Sequence, residues 1–335
     1  MLLFPGCGRR PSQEIILSAE AEELIQRGIN SHDQGDYEAA LGYFKRAMEL
    51  APDHPEILYQ LGFTYFSMGD LTATLEMIDK GLANAKAWSY NGIIPPLLDL
   101  KGSVLNSLGR NVEAIDVYLM AINEYGASGV LIYYNLGVSY YRASMWNEAE
   151  EALITGLLLN PNHADSHYLL GRGNIENGRS TQAFYALCFF LLLEPHTDRS
   201  ALAYSTIVHM LSNRDETIGI RDNGTFTPAD IIISVAFTLD EYNFRLSEAE
   251  KTQAKLYYIF TNLEERLYSG GIERSAGDEL YWDFYAPLFS RIAGSQYFDT
   301  FSRYIALTAD PDADDWVDNH ETDIEVFFFW LNSHL

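Results

Sequence analysis

Residues 164–195 read ADSHYLLGRGNIENGRSTQAFYALCFFLLLEP. Two stretches of helical apolar period are separated by Asn177-Gly178, and Pro195 closes the second. Leu170-Gly171 sits in the first stretch, Ala183 and Leu187 in the second. A glycine after one periodic run and a proline after the next are stop signals, so the segment reads as helix–turn–helix. The same ruler fits four windows upstream in one phase, giving 21–54, 55–88, 95–128, 130–163 and 164–197.

The first window carries Leu24, Gly28, Gly35, Ala40, Phe44, Ala47 and Pro52 at the marker positions. The second carries Leu58, Leu61-Gly62, Tyr65 and Gly69, then drifts to Thr74, Ile78 and Gly81. After the insert 89–94 the third keeps Leu98, Gly102, Gly109, Ala114, Tyr118 and Ala121. The fourth keeps Tyr133, Leu136-Gly137, Tyr140, Ala149, Leu153, Gly156 and Pro161. Small residues such as Gly62, Gly102, Gly137 and Gly171 let paired helices approach, and Ala40, Ala114, Ala149 and Ala183 do so from the other side. Proline cannot donate the bond that would continue a helix, so Pro52, Pro161 and Pro195 end the second helices.

This pattern resembles the tetratricopeptide repeat, a 34-residue helix pair. The resemblance implies an all-α fold, a right-handed superhelix of about five pairs, because one pair alone cannot bury its apolar face. It covers 21–197 and leaves 1–20 as a leader and 198–335 as a C-terminal helical capping domain. In that last part Asn223-Gly224 predicts a short hairpin, and Thr227-Pro228 with Asp230 starts a helix. Ser247 and Glu250 predict a capping box ahead of a long amphipathic helix. Aromatic-rich helices follow near 278–293 and 296–308, and the apolar run 324–331 calls for burial. The run 186–193 is apolar almost all round, unlike a terminal repeat facing water, and this predicts that 198–335 docks on it.

The family's inner wall comes mainly from first helices, at positions two, five, nine, twelve and thirteen of each repeat. Carried onto this chain, those positions select Tyr59, Phe63 and Phe66, then Asp99, Ser103 and Asn106, then Tyr134, Val138, Tyr141 and Arg142, and finally Tyr168, Arg172 and Glu176. Aromatic and arginine side chains are common anchors, so Tyr59, Phe63, Phe66, Asn106, Tyr134, Tyr141, Arg142, Tyr168 and Arg172 are the expected peptide- or partner-binding set. Family members that clamp a chaperone's terminal carboxylate use Lys and Asn at positions five and nine of the first repeat. Ile25 and Ile29 stand there, so that partner class is disfavoured.

A net charge of −25 argues against nucleic-acid backbone and anionic lipid as partners and favours a basic one. With 47% hydrophobic residues the chain can build a sizeable core, and no apolar run reaches the length of a membrane span. Cys188 lies in an apolar run and reads as a buried small residue. Cys7 ends Met-Leu-Leu-Phe-Pro-Gly-Cys, which is similar to the end of a bacterial lipoprotein signal. The basic start and longer apolar stretch of a secretory signal are missing from it, and Phe4 and Pro5 replace the usual small residues. A lipidated Cys7 would make the chain an envelope-anchored adaptor; otherwise a cytoplasmic location is expected.

Asp310, Asp312, Asp314, Asp318 and Glu321 fall at positions 1, 3, 5, 9 and 12 of a calcium-loop pattern. Asp315 occupies the position that needs glycine, and an N-capping role for Asp310 before Pro311 accounts for the same acids. His163 and His167 are spaced to share a helix face, yet His167 takes a packing position and no third ligand is near in sequence. No nucleophile elbow or phosphate-cradling glycine loop occurs. The expectation is a non-enzymatic interaction scaffold that needs no cofactor and binds a protein or peptide.

Overall fold

The computed structural model describes residues 17–212, 247–268, 279–309 and 313–334. Cys7, the hairpin expected at Asn223-Gly224, the helix expected from Pro228, and Asp310 and Asp312 lie outside these residues. Among the described residues every regular element is helical. They fall into two compact units, one ending at Ala143 and the other beginning at Ser144.

The first unit holds α1 (Ala19–Asp33), α2 (Tyr37–Leu50), α3 (Pro55–Ser67), α4 (Leu71–Trp88), α5 (Ile94–Ser107), α6 (Asn111–Tyr125) and α7 (Val130–Arg142). Each of the first three windows has become one antiparallel pair: α1 with α2, α3 with α4, α5 with α6. Side-chain caps fix several starts. Ser18 accepts from the Ala21 amide at 3.2 Å, Asp36 from Ala39 at 3.1 Å and Asp70 from Ala73 at 3.0 Å, satisfying donors that the first helical turn leaves open.

The close approach predicted for the small residues is realised at Gly102, while a Cβ on Gly62 would meet Met77 at an ordinary 3.4 Å. A Cβ on Gly28 would stand 2.4 Å from the Phe44 ring, and one on Gly102 would stand 2.4 Å from Tyr118. Where the second window drifts, Thr74, Ile78 and Gly81 are still buried, and a Cβ on Gly81 would meet Leu97 at 3.0 Å. Between paired helices the chain turns through the left-handed region, at Gly35 (φ 78°), Gly69 (φ 80°) and Gly109 (φ 73°). Glycine has no Cβ to clash there. First helices also touch one another in the order α1–α3–α5–α7, more closely than α2, α4 and α6 approach each other. They therefore form the inner side of this unit's curve.

The second unit holds α8 (Trp146–Leu159), α9 (Ala164–Glu176), α10 (Ser180–Leu193), α11 (Asp198–Ser212), α12 (Glu248–Tyr268), a π-helix (Leu280–Tyr285), α13 (Ala286–Ala293), α14 (Phe298–Tyr304) and α15 (Ala313–Asn332). Here α9 and α10 are the fifth pair, and a Cβ on Gly171 would lie 2.6 Å from Leu187. Residues 181–192 of α10 are all buried. They are covered by rings from downstream elements: Phe184 lies 5.7 Å from Phe260 of α12, and Tyr185 stacks at 5.7 Å on Phe289 of α13. Phe189 meets Phe284 and Tyr285 of the π-helix at 5.3 and 5.6 Å. Downstream residues thus dock on the apolar run 186–193, which is why that run carries no polar face.

The capping box forms: the Ser247 amide donates to Glu250 at 2.7 Å, and the Glu250 amide donates to the Ser247 hydroxyl at 3.3 Å. The expected aromatic helix runs without a break over 279–293, with residues 280–285 in the π form. In the final apolar run Phe327 and Leu331 are buried, but Phe329 is 80% exposed, so burial claims only one stripe of α15.

Candidate functional site

The wall of the first unit is built one helix at a time. From α3, Tyr59 and Phe63 stand one turn apart with rings nearly parallel, 6.1 Å between centroids. Phe63 is exposed, Tyr59 and Phe66 half-buried. The His32 ring of α1 lies 4.8 Å from Phe63 and 5.2 Å from Tyr37, and its Nε2 is 3.0 Å from the Ser67 hydroxyl. His32 was not among the expected residues, although it holds position twelve of the first repeat, as Phe66 and Asn106 do in theirs.

The next rung is polar. Asp99 of α5 is half-buried and its carboxylate accepts from the Asn135 amide of α7 at 2.9 Å. Burial pushes the Asp99 carboxyl above its ordinary range, partly offset by that hydrogen bond. The Tyr59 hydroxyl is raised by its own burial and then by the charge of Asp99. Asn106 is buried, and its amide donates to the Ser139 hydroxyl at 2.8 Å. Arg142 donates to the Asn106 carbonyl at 2.9 Å, so Asn106 braces α5 against α7 at both its backbone and its side chain. Tyr134 and Tyr141 are half-buried on α7, and neither is without partners. Ile25 is buried and Ile29 packs on the first repeat's core, so neither is presented as a binding side chain.

In the second unit Tyr168 is already engaged. Its ring lies 4.9 Å from Phe190, with the Arg199 guanidinium 5.4 Å and that of Arg172 5.9 Å from its centroid. Arg199, on α11, also donates to Asp165 and Glu194, each at 2.5 Å. Residues beyond the fifth window therefore cover part of the surface that Tyr168 and Arg172 were expected to offer.

Elsewhere in this unit lies a buried polar chain. Asn174 donates to the Tyr281 hydroxyl at 2.7 Å, Tyr281 donates to Glu150 at 2.6 Å, and Arg179 pairs with Glu150. His167 is fully buried between the Tyr285 hydroxyl and the Pro161 carbonyl, the latter at 2.6 Å from Nε2. A carbonyl only accepts, so Nε2 carries the proton and Nδ1 accepts from Tyr285. His163 caps α9 by accepting from the Ser166 amide at 3.3 Å. Asp318 and Glu321 are exposed on α15. Among the described residues no three His, Cys, Asp or Glu side chains gather as a metal site, and no helix is long and apolar enough to cross a membrane.

Residues 31–89 and 134–188 each match a tetratricopeptide repeat family profile. No curated protein matches the chain. Among solved structures it is similar to PilW, described as a widely conserved type IV pilus biogenesis factor, with 15% identity over 71% of this chain and 99% of that one and a TM-score of 0.52. It is also similar to pilF of Pseudomonas aeruginosa, with 18% identity over 70% of this chain and 97% of that one and a TM-score of 0.51. Both likenesses bear on the fold. Helix pairs of this kind stack to present extended surfaces, the architecture of a protein-interaction scaffold. Residues 31–89 and 134–188 are thus tetratricopeptide repeats, carried in an all-helical fold that the chain shares with those structures.

Proposed function

We propose that the chain is a non-enzymatic scaffold that holds an extended peptide, or an extended loop of a partner protein, against the first-helix wall of residues 17–143. One observation carries this reading: the exposed and half-buried rings of Tyr59 and Phe63, extended by His32, run into the polar rung of Asp99 and Asn135 on the side of the curve where first helices converge. Aromatic faces supply contact area at low entropic cost, and the polar rung can fix a peptide's register. Tyr134 and Tyr141 extend the same wall on α7. The acidic balance disfavours nucleic acid and supports a basic partner.

The test is selection of phage-displayed 12-residue peptides on the immobilised full chain, followed by titration of the selected peptides. Alanine at both Tyr59 and Phe63 should weaken them at least tenfold with helical circular dichroism unchanged. Unaltered affinity would move the site off this wall.

A second reading concerns location rather than binding. The Gly6-Cys7 pair favours attachment of the scaffold to a bacterial envelope by a lipid on Cys7. Metabolic labelling with a palmitate analogue, lost in Cys7→Ser, would support it; no label on the wild-type chain would end it.

A further inference from the structure

We infer that the wall of the first unit selects a cationic side chain, lysine or arginine, whose head pairs with Asp99 while its stem lies across Tyr59. This rests on the reading of the wall as the binding surface.

Asp99 is an unusual carboxylate for its place. It is half-buried, it accepts from one neutral amide, Asn135 Nδ2, and among the described residues no cation pairs with it. A desolvated carboxylate is costly unless a counter-charge is supplied. The basic groups nearest along the fold are committed elsewhere. Lys101, two residues on, reaches Asp79 of α4 at 2.8 Å, and Arg142 donates to the Asn106 carbonyl at 2.9 Å. Nor is the Tyr59 hydroxyl a partner: burial first, and the nearby charge of Asp99 second, hold its proton more tightly, yet no hydrogen bond joins the two. Asn135 fixes the carboxylate's direction without supplying a counter-charge.

The neighbouring rings complete the chemistry. Tyr59 and Phe63 are stacked in parallel, and aromatic faces attract ammonium and guanidinium groups. A carboxylate beside such faces receives both the charge and the methylene stem of a long basic side chain. The net charge of −25 draws basic segments toward the protein, but that field is diffuse, whereas Asp99 supplies one fixed point.

The probes are four pools of fluorescein-labelled, end-blocked nonapeptides whose central residue is Lys, Arg, Gln or Glu, with uncharged degenerate flanks. Fluorescence polarisation against the full chain should give Lys and Arg pools at least tenfold tighter Kd than the Gln and Glu pools, and raised salt should erode the difference. Asp99→Asn keeps an acceptor for Asn135 and should abolish the preference without lowering the melting temperature. Glu38→Gln, which removes an exposed charge on α2, should leave the preference in place.

Equal affinity for Lys and Gln pools would overturn the inference, as would a preference that survives Asp99→Asn or falls equally with Glu38→Gln. If Tyr59→Ala weakens every pool while Lys and Gln pools bind alike, the wall stands and cation selection falls. If no pool responds to Tyr59→Ala, the wall itself falls, and this inference with it.

Discussion

Tyr281 and Glu150, 131 residues apart in sequence, share a buried hydrogen bond of 2.6 Å in which the phenol donates to the carboxylate. The same hydroxyl accepts from Asn174, and Arg179 holds the other carboxylate oxygen. A π-helix carries Tyr281 and Tyr285 one turn apart, so one element delivers both hydroxyls to the fifth repeat's polar groups. Such π-turns are rare and often mark places where a side chain must be re-aimed.

Removing that hydroxyl takes a partner from two groups at once. Tyr281→Phe leaves the Asn174 amide without its acceptor and takes a donor from Glu150. The expected cost is about 1–3 kcal/mol, the range for a buried polar group left unpaired. Urea unfolding of the full chain would measure it.

Two glycine substitutions should act in opposite directions. Gly102→Ala places a methyl 2.4 Å from a Tyr118 ring carbon, and Tyr118 is buried with its hydroxyl 3.1 Å from Ser103. Overpacking of this kind costs about 1–3 kcal/mol. Gly42 lies exposed within α2 with nothing within 4 Å of its Cβ position, so Gly42→Ala should stabilise by about 0.5–1 kcal/mol. Thermal melts of both variants test the pair.

Stability should fall on acidification because of His167. Burial lowers its pKa from 6.5 to about 3. Between those values the unfolded chain binds a proton that the folded chain refuses, so unfolding becomes easier as pH drops from 6.5 toward 3. The limiting slope is about 1.4 kcal/mol per pH unit for one proton. Subtracting the pH profile of His167→Gln should isolate that slope, since carboxylate titrations are common to both chains.

The turn into α8 offers a stabilising change. Ser144 sits at φ 59°, in the place where other repeats put Gly35, Gly69, Gly109 and Gly178. A side chain in the left-handed region is disfavoured by about 1–2 kcal/mol, partly offset by glycine's greater freedom when unfolded. Ser144→Gly should raise the melting temperature, and Gly109→Ala should lower it.

The repeats were legible because their signals are local and stereochemical. Gly28, Gly102 and Gly171 each face a large side chain that tolerates nothing bigger, and such positions announce themselves in sequence. The drifted second repeat was readable for the same reason, as Thr74, Ile78 and Gly81 remain small enough or apolar enough to be buried. The candidate wall was only half legible. Position counting gave Tyr59, Phe63 and Asn106 the same standing, whereas the Asn106 amide donates to Ser139 on the neighbouring helix. Whether a polar residue is presented or spent depends on its partner across the stack, and spacing carries no such information. Tyr168 illustrates the same limit, because Arg199, from outside the repeat windows, lies over its ring.

The enclosure of α10 makes the array directional. Every residue from Thr181 to Leu192 is buried, with Leu187 against α9 and Phe184, Tyr185 and Phe189 under downstream rings, so no apolar stripe is left to receive another helix pair after Pro195. A duplicated repeat spliced there would have to evict α12 and α13 from their seat. The same duplication between α2 and α3 meets only the generic contact that one repeat makes with the next. Lengthening of this protein, in evolution or in the laboratory, is therefore confined to the repeats that precede its sealed end.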